Sequence, residues 1–293
     1  MEWRGRRESQ NVEDARNRGG GRMGGGGGGG FGLLMMIGRV FGLKGILAAL
    51  LIGGALWKMG IIDPGFLTGG PAGGVQQQQV SPEDQERYSF VKVVLADTEE
   101  VWTREFARIG RNYRLPTMTV YRGQIQTACG TGSSSMGPFY CPADQKIYID
   151  LSFYDELAQT FKAPGDFAQA YVIAHEVGHH IQKQLGVSDK VASLRGRSDY
   201  NEYSVRLELQ ADFYAGVWAN HSRQYLDRGD IEEALRAANA IGDDMIQKKT
   251  QGRISPKAFT HGSAAQRMRW FKKGLDSGKI EEGDTFAIPY QNL

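Results

Sequence analysis

Apolar and polar positions are unevenly distributed along this chain of 293 residues, and their pattern divides it before any single residue is considered. From Asp166 to Leu185, apolar residues fall at Ala170, Ala174, Val177, Ile181 and Leu185. Those spacings of three and four predict a helix with one buried stripe. "NEYSVRLELQADFYAGVWANH", which starts at Asn201, predicts a second helix with Leu207, Ala211, Tyr214, Ala215 and Trp218 towards the core. Ser81-Pro82 followed by Glu83 and Asp84 predicts a helix start, with proline at the first position and acids in the first turn. Phe90, Val94, Val101 and Phe106 give that helix its apolar face. "PTMTVY", from Pro116, and the alternating "KIYIDL", from Lys146, read as strands, and the second suits the edge of a small sheet. "TACGTGSSSMGPFYCP", 127–142, reads as a loop, and "SFYDELAQTF", from Ser152, as a short helix. The expected class is α+β, mainly helical with a small sheet.

The first 85 residues follow a different pattern. Residues 1–30 hold six arginines and a glycine run and almost nothing apolar to bury, so they are expected to be a disordered cytoplasmic tail. Residues 31–62 are expected to be a membrane anchor, its helix running from about 43 to 62. No charge appears between Lys44 and Lys58, and Lys58 can snorkel to extend the run towards the roughly 20 residues a bilayer needs. The preceding arginines, with Arg39 and Lys44, predict a cytoplasmic N-terminus and an extracytoplasmic domain, a single-pass arrangement. Residues 63–85 read as a Gly/Pro/Gln linker, and 86–293 as the globular domain.

Composition narrows the function only a little. A net charge of +2 gives no reason to expect a nucleic-acid partner. Two cysteines, Cys129 and Cys141, cannot form a disulfide scaffold, but outside the membrane they are expected to form one bridge.

The chemistry lies in "HEVGHHIQ", 175–182. His175 and His179 are four apart on a helix, so they project from one face about 6 Å from each other and can reach one tetrahedral ion. Glu176, rotated by about 100°, need not be a ligand and can instead take a proton from water as general base. The spacing therefore points to a zinc hydrolase, one ion per chain. His180 points elsewhere and is read as a surface residue or one supporting the site from behind. Gly178, unfavourable inside a helix, suggests that another backbone comes close there. Glu208 and Asp212 in the next long helix are also four apart. One of them can supply the third protein ligand, and the other can accept the distal N–H of a ligand histidine.

"HEVGHHIQ" followed by "ELQADFYAGVWA", with the opening "MEWRGRRES", resembles the bacterial neutral zinc metallopeptidases over nearly the whole chain. More distantly, HExxH with ExxxD is similar to the gluzincin peptidases, including the HtpX and CAAX-protease group. The resemblance implies a zincin-like domain, Glu208 as the third ligand and Asp212 as the residue that orients a histidine. It also aligns "THGSAAQRMRW" with a histidine and a following arginine, here His261 and Arg267, although Gly262 replaces the family's proline. By that likeness His261 could hydrogen-bond the oxyanion. The implied activity is a membrane-anchored endopeptidase acting on proteins or peptides. A tethered binding or chaperone-like module with a structural zinc, and a hydrolase of cell-wall amides, are the alternatives.

Overall fold

The computed structural model describes residues 1–17 and 80–293. These residues belong to one compact unit, built mainly of helices with a small sheet on one side. The sheet has the order β1-β2-β6-β5, where β1 is Val12–Asp14, β2 Thr117–Tyr121, β5 Phe139–Cys141 and β6 Lys146–Asp150. β1, β2 and β6 run parallel and β5 is antiparallel to β6. A separate hairpin pairs β3, Gln124–Thr127, with β4, Gly130–Ser133.

The long helices form where the apolar period predicts them. α1, Pro82–Arg108, begins as its sequence dictates: Ser81 accepts the Asp84 N–H, and Glu83 and Asp84 favour the positive end of the helix dipole. α2 spans Phe153–Gln159, α3 Asp166–Gln184 and α4 Val187–Ala192, and α5 is Tyr200–His221. α6, Asp230–Ala240, and α7, Asp243–Gln251, lead to α8, Ala264–Ser277. α8 opens with a reciprocal Ser263/Gln266 cap. Val177, Ile181, Leu209, Trp218 and Phe271 are among the side chains in the common core.

Two close approaches position the site. A Cβ on Gly178 of α3 would lie 2.9 Å from the Cα and carbonyl oxygen of Ala211 in α5. The backbone contact expected at Gly178 is therefore made by Ala211. Gly216, further along α5, faces α8. There a Cβ would lie 2.0 Å from the Phe271 carbonyl oxygen, and one on Gly274 would lie 2.0 Å from that of Phe213. α5 is thus pressed between α3 and α8.

Four expectations need correction. Residues 1–17 are not a disordered tail. They form β1 and a strap across α1, because Arg6 pairs with buried Asp97, Arg7 with buried Glu99, and Arg16 with Asp14. The Met1 ammonium lies 2.8 Å from Asp166, at the start of α3. The linker reading of 63–85 fails at its end, since the folded unit resumes at Val80 and α1 at Pro82. The stretch 127–142 is not wholly loop, because it contains β4 and β5. Finally, the "KIYIDL" strand is internal, paired to β2 and β5, and β5 takes the edge. No helix among the described residues is long and apolar enough to cross a membrane, and the anchor expected at 31–62 lies outside the described residues.

Replacing Gly178 with alanine is expected to force α3 and α5 apart. The overpacking should destabilise the domain by about 1–3 kcal/mol, read as a lowered denaturation midpoint. Retained zinc affinity in that variant would show that the two helices need not touch for the site to form.

Candidate metal and catalytic site

The histidine helix presents its motif to α5 just beside the Gly178–Ala211 contact. The His175 Nε2 lies 3.2 Å from Glu208 Oε2, and the His179 Nε2 lies 3.5 Å from Glu208 Oε1. One ligand atom from each of the three residues falls within 4.8 Å of the others, a spacing that suits a single ion.

The second nitrogens of both rings are already engaged. His175 Nδ1–H donates to Asp212 Oδ1 at 2.8 Å, and His179 Nδ1–H donates to Gln182 Oε1 at 2.9 Å. Each imidazole therefore turns Nε2 towards the shared point. This is the orientation a ligand histidine receives from its supporting residues. The donor set of two imidazoles and one carboxylate suits zinc with a position left open.

Gln182 carries no obvious signal in the sequence, yet it decides the pose of His179. It is fully buried, and its amide nitrogen donates to the Leu207 carbonyl at 2.6 Å and to Gln210 Oε1 at 3.2 Å. Those two bonds fix the amide so that Oε1 faces the histidine.

Asp212 is the most heavily engaged group. It is fully buried and accepts the Tyr171 hydroxyl at 2.5 Å, as well as both arms of the Arg267 guanidinium at 2.8 and 2.9 Å. Burial works against its ionisation, but Arg267 and His175 outweigh it and hold the carboxyl at about 2. Arg267 is therefore a buried partner of the histidine's support, and Tyr171 is a member of the same network that sequence reasoning did not find.

Charge balance across the rest of the site follows from burial and proximity. Desolvation opposes the charged form of His175, but Asp212 and then Glu208 overcome it and raise its pKa to about 10. Burial also opposes ionisation of Glu208, which the charge of His179 and hydrogen bonds from both histidines hold well below the carboxylate range. Glu176 behaves differently. Burial raises its carboxyl, only partly offset by the two histidines and the Tyr140 backbone N–H. A carboxyl moved towards neutrality suits proton transfer.

His180 is not at the surface. It is 1% exposed, its Nε2–H donates to the Arg114 carbonyl at 2.7 Å, and its Nδ1 accepts the Tyr140 hydroxyl at 3.1 Å. Burial keeps it neutral by lowering its pKa. It ties α3 to the edge strand β5, which the Cys129–Cys141 disulfide also secures.

These residues line a cleft of about 430 Å³ that includes His175, Glu176, His179, Glu208, His261 and Arg267. Phe139 and Tyr140 of β5 lie along it, and Phe153, Phe161, Ile241 and Ile246 make it largely apolar elsewhere. His261 is half exposed. Its ring nitrogen bonds Asp243 Oδ1 at 3.1 Å, and that bond outweighs burial and raises its pKa.

Replacing Gln182 with leucine is expected to weaken zinc binding by roughly 10- to 100-fold, measured by competition with a chelator of known affinity. An unchanged affinity would show that His179 is oriented without it.

A profile of the family described as "Putative neutral zinc metallopeptidase" matches residues 1–286. The uncharacterized protein YpfJ of Escherichia coli is 48% identical over 296 aligned positions, covering 98% of this chain and 99% of that one. An uncharacterized protein of Mycobacterium tuberculosis is 44% identical over 188 positions, covering 60% of this chain and 64% of its own. No solved structure matches the chain. With a family profile spanning its strap, its histidine helix and its paired carboxylates alike, the chain belongs to the neutral zinc metallopeptidase family.

Proposed function

We propose that this protein is a zinc-dependent endopeptidase. A single zinc ion is held by His175, His179 and Glu208, with Asp212 orienting His175 and Gln182 orienting His179. The observation that carries this reading is the convergence of two Nε2 atoms and one carboxylate on a point beside a raised, buried glutamate. Zinc bound there supplies Lewis acidity that lowers the pKa of water and polarises a carbonyl.

The protein's own groups then do the following. Glu176 takes the proton of the attacking water on its carboxylate and later delivers it to the leaving amine nitrogen. The carbon of the scissile carbonyl gains the water oxygen as its bond to nitrogen breaks, so atoms and protons balance. Asp212, held ionised by Arg267, keeps His175 in one tautomer throughout. His261, which lines the cleft and whose pKa is raised by its bond to Asp243, is the group assigned to donate to the developing oxyanion. The edge strand β5, which lies along the cleft, is the element an extended peptide would run beside, a role first expected of the strand at Lys146.

A membrane-tethered binding or chaperone-like module with a structural zinc is the other reading. Glu176 weighs against it, because a purely structural site has no use for a buried, proton-accepting carboxylate. The disulfide between Cys129 and Cys141 favours an extracytoplasmic location for the domain. Membrane contact through 31–62 rests on the apolar pattern of the sequence alone.

Glu176→Gln is expected to retain zinc while losing hydrolysis of an unfolded protein by at least about 100-fold, within the range general-base catalysis supplies. Glu208→Ala is expected to lose the metal itself. Hydrolysis retained by Glu176→Gln would remove the assigned base, and hydrolysis of purified cell wall in preference to protein would change the substrate class.

A further inference from the structure

The arginine-rich opening of the chain is a working part of the fold. Val12, Glu13 and Asp14 pair in parallel with Met118, Thr119 and Val120. Backbone bonds of 2.8 Å from Met118 N–H to Asn11 and from Ala15 N–H to Val120 extend that ladder at both ends. The strap also satisfies acids that α1 buries. Glu99 is 3% exposed and its side chain accepts from Arg7 at 3.1 Å, Ser9 at 2.6 Å and Asn11 at 2.7 Å, all of them strap residues. Asp97, 5% exposed, pairs with Arg6. Removing the strap would take from Glu99 its bonds to Arg7, Ser9 and Asn11 together.

The far end of the strap is just as informative. The Arg16 guanidinium donates to the Asp84 carbonyl in the first turn of α1 at 2.9 Å and lies 4.2 Å from the centre of the Tyr88 ring. Arg16, near the end of the first described stretch, is thus held against the first turns of α1, close in sequence to where the description resumes at Val80.

We propose that residues 18–79 are an insertion between two points clamped together on one folded unit, so that the N-terminal strap and the metallopeptidase domain lie on the same side of any bilayer the insertion meets. A single crossing from a cytoplasmic N-terminus to an external domain would put about 30 Å of hydrocarbon between Arg16 and Asp84. It would also pull β1 out of the sheet. Three of the cations on which the positive-inside reading drew, Arg6, Arg7 and Arg16, are committed to acidic partners within the domain. This inference rests on the packing of the strap and stands whether or not the cleft is a peptidase.

The test uses the full chain with single cysteines at exposed positions, Gln10→Cys in the strap or Lys272→Cys in α8, treated with a membrane-impermeant maleimide on intact cells and after lysis. The native pair Cys129–Cys141 serves as the background control. Both positions are expected to label alike, either from outside or only after lysis. Labelling of one from outside and the other only after lysis would overturn the proposal. A second measurement checks docking directly. Arg4 and Glu86 form an exposed ion pair across strap and α1, so Arg4→Cys with Glu86→Cys should be joined within one chain by a short bis-maleimide. Failure of that link in folded, full-length protein would also overturn it.

Discussion

Everything at this site depends on two helices touching without side chains between them. His175 and His179 can share an ion with Glu208 only if α3 and α5 run close enough for imidazole and carboxylate to meet. Gly178 against Ala211 permits that distance. A larger residue at either position would move the carboxylate away from the two Nε2 atoms by an amount comparable to a metal–ligand tolerance. α5 is pressed from its other side by α8, through Gly216 and Gly274, and that second contact brings Arg267 to Asp212. The residues with the smallest side chains thus set the position of those with the most chemistry.

The second constraint is electrostatic. Asp212 is a fully buried carboxylate, and burying it would be prohibitive without partners. The fork of Arg267, the Tyr171 hydroxyl and the His175 N–H together satisfy it. Satisfying it also has a functional effect, because an Asp212 held ionised has only one way to bond His175. Gln182 does the same for His179 without charge, its amide locked by the Leu207 carbonyl and Gln210. One histidine is oriented by a charged network and the other by a neutral one.

Much of this was legible in the sequence, because it depends on local period and spacing. α1, α3 and α5 lie where the apolar stripes predict them, Gly178 faces a neighbouring backbone, and Cys129 is bonded to Cys141. His175, His179, Glu208 and Asp212 come together as their spacing and the family resemblance imply. The parts that were not legible depend on partners distant in the chain. Gln182 and Tyr171 look like ordinary helix residues until α5 is placed beside them. β5 has only three residues in a Gly/Ser-rich stretch, too few to alternate. The strap looked disordered because its stabilisation comes from Asp97 and Glu99, about ninety positions away, and no composition rule can see that.

These separate contacts converge on one element. At its start, α3 is held by the Met1 ammonium at Asp166 and by Glu233, which accepts the Phe167 N–H. Its middle is held by Gly178 against Ala211. Towards its end, His180 fastens it to Tyr140 and Arg114, and Gln182 fastens it to α5. The motif residues lie between fixed points, so their side chains need little rearrangement to meet an ion or a substrate. Such preorganisation is what a constellation of this kind requires from its scaffold. It also accounts for why the strap belongs to the domain. Its contacts with Asp166, Asp97 and Glu99 brace the histidine helix and the helix α1 packed against it. A strap left on the far side of a membrane could not brace either.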